Sequence, residues 1–249
     1  MTIVLPTTVS ESKLTNPDSI ILYGLPKSGK TSFCSTLPNN LIIDLEKGSR
    51  HVSALKCEVE NFADLTELGR EIMKAGRPYK YITIDTITKL EEWCEGDATE
   101  LYMKSPIGKN FNRYDEGPKA GQLKPNSEWT SVLTLPKGAG YYWLRLSFST
   151  WLDKIKLLAP YIILIAHIKD VYLEKAGKEV SVKDLDLTGK IRGISSSNAD
   201  AIGYVYRSGD KGETLRINFQ SNDSVLCGAR PEHLRGQDME ADWSKIFVE

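Results

Sequence analysis

The run Gly24-Leu25-Pro26-Lys27-Ser28-Gly29-Lys30-Thr31 fits the spacing G-x-x-x-x-G-K-[ST] in full and directly follows the apolar segment Ser19-Ile20-Ile21-Leu22-Tyr23. A strand that turns through glycines into a helix N-terminus aims successive backbone N–H groups, and the positive end of the helix dipole, at a phosphate. In that arrangement Gly24, Leu25, Pro26, Lys27, Ser28, Gly29, Lys30, Thr31 and Ser32 form the phosphate-binding segment. Lys30 reaches the β- and γ-phosphates, and the Thr31 hydroxyl holds Mg²⁺. The chemistry expected is binding of a nucleoside triphosphate with Mg²⁺. A second acid-bearing element, Tyr81-Ile82-Thr83-Ile84-Asp85, ends an apolar run in a carboxylate. At the end of a strand beside a phosphate loop such a carboxylate holds the metal shell, so Asp85 joins Thr31 as a candidate metal ligand. An Asp in that position also serves as a turn residue or helix cap.

These groups need a scaffold, and the apolar patterning supplies one. Leu41-Ile42-Ile43-Asp44 and Tyr79–Ile84 read as strands, and Tyr161-Ile162-Ile163-Leu164-Ile165-Ala166, wholly apolar, reads as a strand buried on both faces. Between them Phe62, Leu65, Leu68, Ile72 and Met73 recur at helical spacing up to Gly76 and Pro78. Leu144, Phe148, Trp151, Leu152, Ile155 and Leu158 mark a further helix over Trp143–Leu158. Strands alternating with helices imply an α/β fold with a mainly parallel sheet. Ala201–Arg207 and Thr214–Phe219, joined by Ser208-Gly209-Asp210-Lys211-Gly212, read as a C-terminal hairpin. Residues 1–18 read as a loose arm, residues 19–249 as one domain, and about 95–142 as a long insertion in it.

Composition narrows the function classes. A net charge of −1 over 249 residues excludes coating of nucleic acid by bulk charge, so any such contact must use local patches. The four cysteines, Cys34, Cys57, Cys94 and Cys227, lack C-x-x-C spacing and read as reduced thiols. With neither a leader pattern nor a membrane-length apolar run, a cytoplasmic protein without a membrane partner is expected. The insertion is locally basic, with Lys104, Lys109, Arg113, Lys119, Lys124 and Lys137 against Asp115, Glu116 and Glu128. It interleaves Tyr102, Phe111, Tyr114, Trp129, Tyr141 and Tyr142, which suits stacking on single-stranded bases or, equally, anchoring of an ordinary loop. Residues 169–198 read as a second polar connection, balanced in charge except at Lys190-Ile191-Arg192-Gly193.

Taken in order, Gly-Leu-Pro-Lys-Ser-Gly-Lys-Thr, Ile-Asp-Leu-Glu-Lys-Gly-Ser, Ile-Asp-Thr-Ile-Thr-Lys-Leu-Glu-Glu-Trp, Leu-Ile-Ala-His-Ile-Lys-Asp and Ala-Asp-Ala-Ile-Gly-Tyr-Val-Tyr-Arg resemble phage RecA-like P-loop ATPases of the single-strand-annealing type. The resemblance implies an ATP-dependent recombination protein that binds single-stranded DNA as a homo-oligomer, a ring or filament. If phage-encoded, it would act in the host bacterial cytoplasm, with a single-strand-binding protein as a further partner. It also implies that Glu46 orients the attacking water and that His167 senses the γ-phosphate. The same resemblance makes Arg207 and Lys211 the leading candidates, ahead of Arg216 and Arg230, for cations lent to a neighbour's nucleotide. It puts Lys190 and Arg192 in a DNA-binding loop, while the aromatic and basic composition of the insertion makes Tyr141 and Tyr142 candidate base platforms or, alternatively, core residues. A DNA-independent nucleotide or small-molecule kinase, and an ATP-gated accessory protein such as a helicase loader, stand as alternatives.

Overall fold

The computed structural model describes residues 5, 7–8, 15–125, 130–175, 178–222 and 224–248, with the backbone alone at 173–175 and 178–180. The chain forms β1 (Ser19–Tyr23), α1 (Lys30–Ser35), β2 (Asn40–Asp44), β3 (Leu55–Glu58), α2 (Phe62–Lys74), β4 (Tyr81–Asp85) and α3 (Ile87–Lys104). It continues through α4 (Gly140–Lys156), β5 (Tyr161–Ala166), β6 (Ile168–Lys175), β7 (Lys178–Leu185) and α5 (Gly189–Asn198). Last come β8 (Ala201–Ser208), β9 (Thr214–Asn218), β10 (Gly228–Ala229), β11 (Asp238–Glu240) and α6 (Trp243–Ile246). The main sheet runs β11-β9-β8-β1-β5-β4-β2-β3, with β10 beside β8. From β8 to β3 it is parallel, and the late strands β9, β10 and β11 join antiparallel. This is the expected α/β fold with a mainly parallel sheet flanked by helices and a C-terminal hairpin.

The central strands are all but invisible to water: Ile20, Ile21, Leu22, Ile42, Ile43, Ile82, Ile84, Ile163 and Ile165 are fully buried. Both faces are covered. One face packs against α2, α3 and α4 through Leu65, Leu90, Phe148 and Ile155; the other packs against α1 and α6 through Phe33, Trp243 and Ile246. Trp243 stacks on Phe33 at 4.2 Å and donates its indole N–H to the Phe33 carbonyl at 2.9 Å, so α6 braces the helix that follows the phosphate loop.

Four expectations need correction. The insertion expected over 95–142 is helical at both ends, because α3 runs on to Lys104 and α4 starts at Gly140 rather than Trp143. Gly140 is needed there, since a Cβ would lie 1.9 Å from the Val132 carbonyl oxygen. The connection between the two helices is therefore 105–139; it includes the short 3-10 turns Val132–Thr134 and Pro136–Gly138, and residues 126–129, Glu128 and Trp129 among them, are outside the described residues. Residues 169–198 are not an open connection but the two-stranded hairpin β6–β7 followed by α5, held by register pairs such as Val171↔Val182. Their few apolar residues alternate at period two among charges, which masks the strand pattern. The side chains of Glu174, Lys175, Lys178 and Glu179 are outside the described residues. The edge strand β3, Leu-Lys-Cys-Glu, is an addition: half-exposed and short, it carries little apolar signal. Finally, the arm expected over 1–18 lies mostly outside the described residues, but Asn16 exchanges hydrogen bonds with Val248, and Asp18 N–H donates to Asp200. No helix among the described residues is long and apolar enough to cross a membrane.

Because Trp243 is both a large buried ring and a hydrogen-bond donor to α1, Trp243→Ala should lower unfolding free energy by about 3–5 kcal/mol. Urea denaturation of the two proteins checks this, and a loss below 1 kcal/mol would show that α6 does not brace α1.

Candidate nucleotide site

The parallel strands end together. Tyr23 pairs with Ala166 and Tyr204, Asp85 with Ile165, and Asp44 with Asp85, so the segments that leave β1, β2, β4 and β5 meet at one edge of the sheet. That edge collects the sequence candidates. The chain leaving β1 passes so close to β8 that a Cβ on Gly24 would come within 2.2 Å of the Val205 carbonyl oxygen. It then turns through positive φ at Lys27 (62°) and Gly29 (110°) into α1. Glycine at the second of these positions avoids both backbone strain and a side-chain clash.

Lys30 is buried, and its ammonium donates to the carbonyls of Gly24 and Leu25 at 2.9 Å each. Burial lowers its pKa, an effect that nearby Asp85 and Glu46 only partly reverse. Thr31 donates its hydroxyl to Asp85 at 2.6 Å. Asp85 is itself buried, and desolvation, helped by the charges of Asp44 and Glu46, raises its pKa to about 6 against the pull of Thr31 and Lys30. Ser28 Oγ is buried in the loop with no hydrogen-bond partner among the described residues. A paired hydroxyl and carboxylate offer the oxygen donors that suit a hard cation such as Mg²⁺, and an orphaned hydroxyl beside a buried ammonium suits a phosphate.

Glu46 faces this cluster from the segment after β2. Its Oε1 accepts from the Thr86 hydroxyl at 2.6 Å and lies 3.0 Å from His167 Nε2. His167 leaves β5 beside it, its backbone N–H donates to Thr88 Oγ1 at 3.1 Å, and its ring Nδ1 is buried without a partner among the described residues. The other nitrogen therefore carries the contact to Glu46. The Asp85–Thr86 peptide is cis. Thr86 caps α3 through Lys89 N–H at 3.2 Å while its hydroxyl hydrogen goes to Glu46, so one side chain starts a helix and fixes a carboxylate.

Two contributors are missed by motif reading. Asp44, fully buried, accepts N–H bonds from Glu46 (3.0 Å), Gly48 (3.3 Å) and Ser49 (2.8 Å). Burial alone would raise its pKa, but hydrogen bonds from Ser49, Glu46 and Gly48 outweigh that and hold it below the usual carboxylate value. The turn that presents Glu46 is folded around this carboxylate. An Asp followed by Gly-Ser within five residues is a readable signal for such a turn. Thr86 is the second, and a hydroxyl after a strand-end Asp carries no comparable signal.

The remaining candidates separate. Arg207, expected to reach a neighbour, donates instead to its own chain: Nε to the Ser28 carbonyl at 3.0 Å, with Nη2 2.9 Å from where a Gly29 Cβ would lie. This follows from the register, because β8 runs parallel beside β1 and continues past its end. Lys211 sits in the β8–β9 turn, whose backbone is tied to Glu213. Arg216 is paired with Asp238 at 3.0 Å and Arg230 with Asp200 at 2.9 Å. Lys190 is exposed on α5, but Arg192 is held by Asp184 at 2.9 Å, an acid at the end of β7 that the turn into α5 brings alongside. Tyr141 and Tyr142 stand on the first turn of α4, 42% and 56% exposed, and are not core residues.

A family model described as AAA domain matches residues 16–230, a span that includes every strand of the parallel sheet and the whole edge described above. No curated protein matches the chain.

The state of Asp85 is open to titration. Its native pKa lies above the unfolded value, so the folded protein holds the extra proton, and stability falls as pH rises from about 4 towards 6 and then levels. In nucleotide-free protein with chelator, Asp85→Asn should therefore be more stable than the parent at pH 7.5, on the order of 2–3 kcal/mol, and show no such gain at pH 3.5. Denaturant melts at the two pH values give the comparison; an equal difference at both would refute the assignment.

Proposed function

The chain belongs to the AAA domain family of nucleotide-binding P-loop ATPases, and we propose that it is an ATPase acting on single-stranded DNA in recombination or annealing, as a homo-oligomer. The observation that carries the catalytic part is the meeting of Lys30, Thr31, Asp85, Glu46 and His167 at one edge of the parallel sheet.

In this reading ATP lays its phosphates along Gly24–Ser32. Lys30 exchanges the Gly24 and Leu25 carbonyls for phosphate oxygens, a short movement of an ammonium already in the loop. Thr31 and Asp85 would hold Mg²⁺, which neutralises charge on the β- and γ-phosphates when bound. Glu46 orients the attacking water and accepts its hydrogen bond. Thr86 and His167 set the direction of the Glu46 carboxylate, and His167 responds to the γ-phosphate through that same contact. Arg207 adds a cation from its own chain, beside Ser28. Lys211 is left as the candidate for a cation lent between subunits.

The DNA part is supported by the resemblance of the segments from Gly24 to Arg207 and by the surface that leads away from His167. The chain passes from β5 directly into the β6–β7 hairpin and α5, where Lys190 is exposed. Arg192 drops out of the free cations because Asp184 holds it. Tyr141 and Tyr142 are exposed enough to stack on bases.

Glu46→Gln should keep ATP binding within a few-fold and lose nearly all hydrolysis, whereas Lys30→Ala should lose both. Equilibrium binding of a fluorescent ATP analogue and phosphate-release assays separate the two. Normal turnover by Glu46→Gln would remove it from the water-orienting role.

Affinity for oligothymidylate in the presence of a non-hydrolysable ATP analogue should fall steeply with salt and vary little with base sequence. ATP turnover should rise when the strand is added. Fluorescence anisotropy over a salt series tests the first, and absence of any salt-sensitive binding would leave the DNA-independent ATPase as the reading.

A further inference from the structure

The start of α4 and the start of α5 enclose a cleft of about 470 Å³ in which Lys137, Arg145 and Lys190 converge around the ring of Tyr141. We propose that this cleft holds backbone phosphates of single-stranded DNA, with Tyr141 as the platform for an adjoining base. The proposal deepens the reading given above and rests on it.

Three observations carry it. First, the cleft has no acid in its lining, and among the described residues none of the three cations has an ion-pair partner. The neighbouring acids are already engaged: Asp184 with Arg192, Asp186 with Lys169 at 3.5 Å, and Glu91 with the Thr188 backbone N–H at 3.0 Å. In a chain of net charge −1, three cations crowded without acids repel one another, and a bound polyanion relieves that repulsion. Second, Tyr141 is directed by the backbone beneath it. Gly138 adopts φ 70°, and a Cβ there would lie 3.3 Å from Tyr141 Cδ2, so the ring rests over a residue with no side chain. A tyrosine 42% exposed and held against backbone presents an aromatic face next to cations, the combination that single strands use. Third, the cleft is tied to the nucleotide edge. Asp186 N–H donates to the His167 carbonyl at 3.0 Å, two residues before Thr188 opens α5. A strand seated on Lys190 therefore bears on the segment that leaves His167.

The test is binding of fluorescein-labelled oligothymidylate by the full chain with a non-hydrolysable ATP analogue, read by anisotropy over a salt series. Lys137→Ala with Arg145→Ala should weaken binding and flatten the slope of log K against log salt by about 1.4, since each single-strand phosphate contact contributes about 0.7. Tyr141→Ala should weaken binding roughly 5- to 150-fold and Tyr141→Phe hardly at all. Lys74→Ala with Lys245→Ala removes the same charge from α2 and α6, and its slope should equal the parent's. If the Arg145 variant melts early, Lys137→Ala with Lys190→Ala, both exposed, gives the same reading. A parent that binds while the cleft variants keep its slope, or while both double variants flatten it equally, overturns the cleft and leaves the DNA reading standing. A parent that does not bind overturns both.

Discussion

The hydrogen bond from Thr31 to Asp85 is the contact on which the candidate site depends. It joins the segment after β1 to the end of β4, two strands that are not neighbours, because β5 lies between them. With Thr31 fixed to Asp85 across β5, whatever leaves β5 must emerge between a phosphate loop and a pair of carboxylates. That residue is His167. The parallel register then places the turn after β2 on the other side, so that Glu46 meets His167 without any long-range loop having to find its way. The short separations among these side chains follow from strand order.

Asp44 and Asp85, paired at the ends of β2 and β4, are pushed in opposite directions, and the donors around them make the difference. Asp44 receives three N–H bonds and remains readily ionised. Asp85 has one hydroxyl donor in a dry setting and is driven the other way. Glu46, on the more open side, is held by a hydroxyl and an imidazole. The three carboxylates are thus distinguished by what donates to them, with similar side chains throughout.

The parts of the site that rest on local sequence are legible from it. Gly24 to Thr31 can be read because close backbone approach and positive φ demand glycine, and β5 because burial on both faces demands an unbroken apolar run. Residues whose meaning depends on distant partners are not. Nothing near Arg207 indicates that parallel pairing of β8 with β1 will lay it on Ser28. The β6–β7 hairpin escapes because its alternation is written in a few valines among charges, and the ends of α3 and α4 escape because their amphipathic pattern is weak beside a Gly- and Pro-rich loop. Thr86 shows the same limit in one residue, since its two bonds go to groups three and forty positions away.

The position of β1 in the middle of the sheet also bears on how the protein is made. Its two neighbours are β5 and β8, with Ser19 opposite Ile162 and Tyr23 opposite Tyr204. At ordinary rates of synthesis the strand that carries the phosphate loop leaves the ribosome on the order of ten seconds or more before β8 exists to pair with it. Until β5 is made Ile20, Ile21 and Leu22 have neither lateral partner, and from then until β8 is made one edge of β1 stays open; an unpaired apolar edge of this kind is open to association with other chains. The arrangement that gathers the site from strands far apart in sequence thus keeps the sheet open beside β1 until β8 has been made.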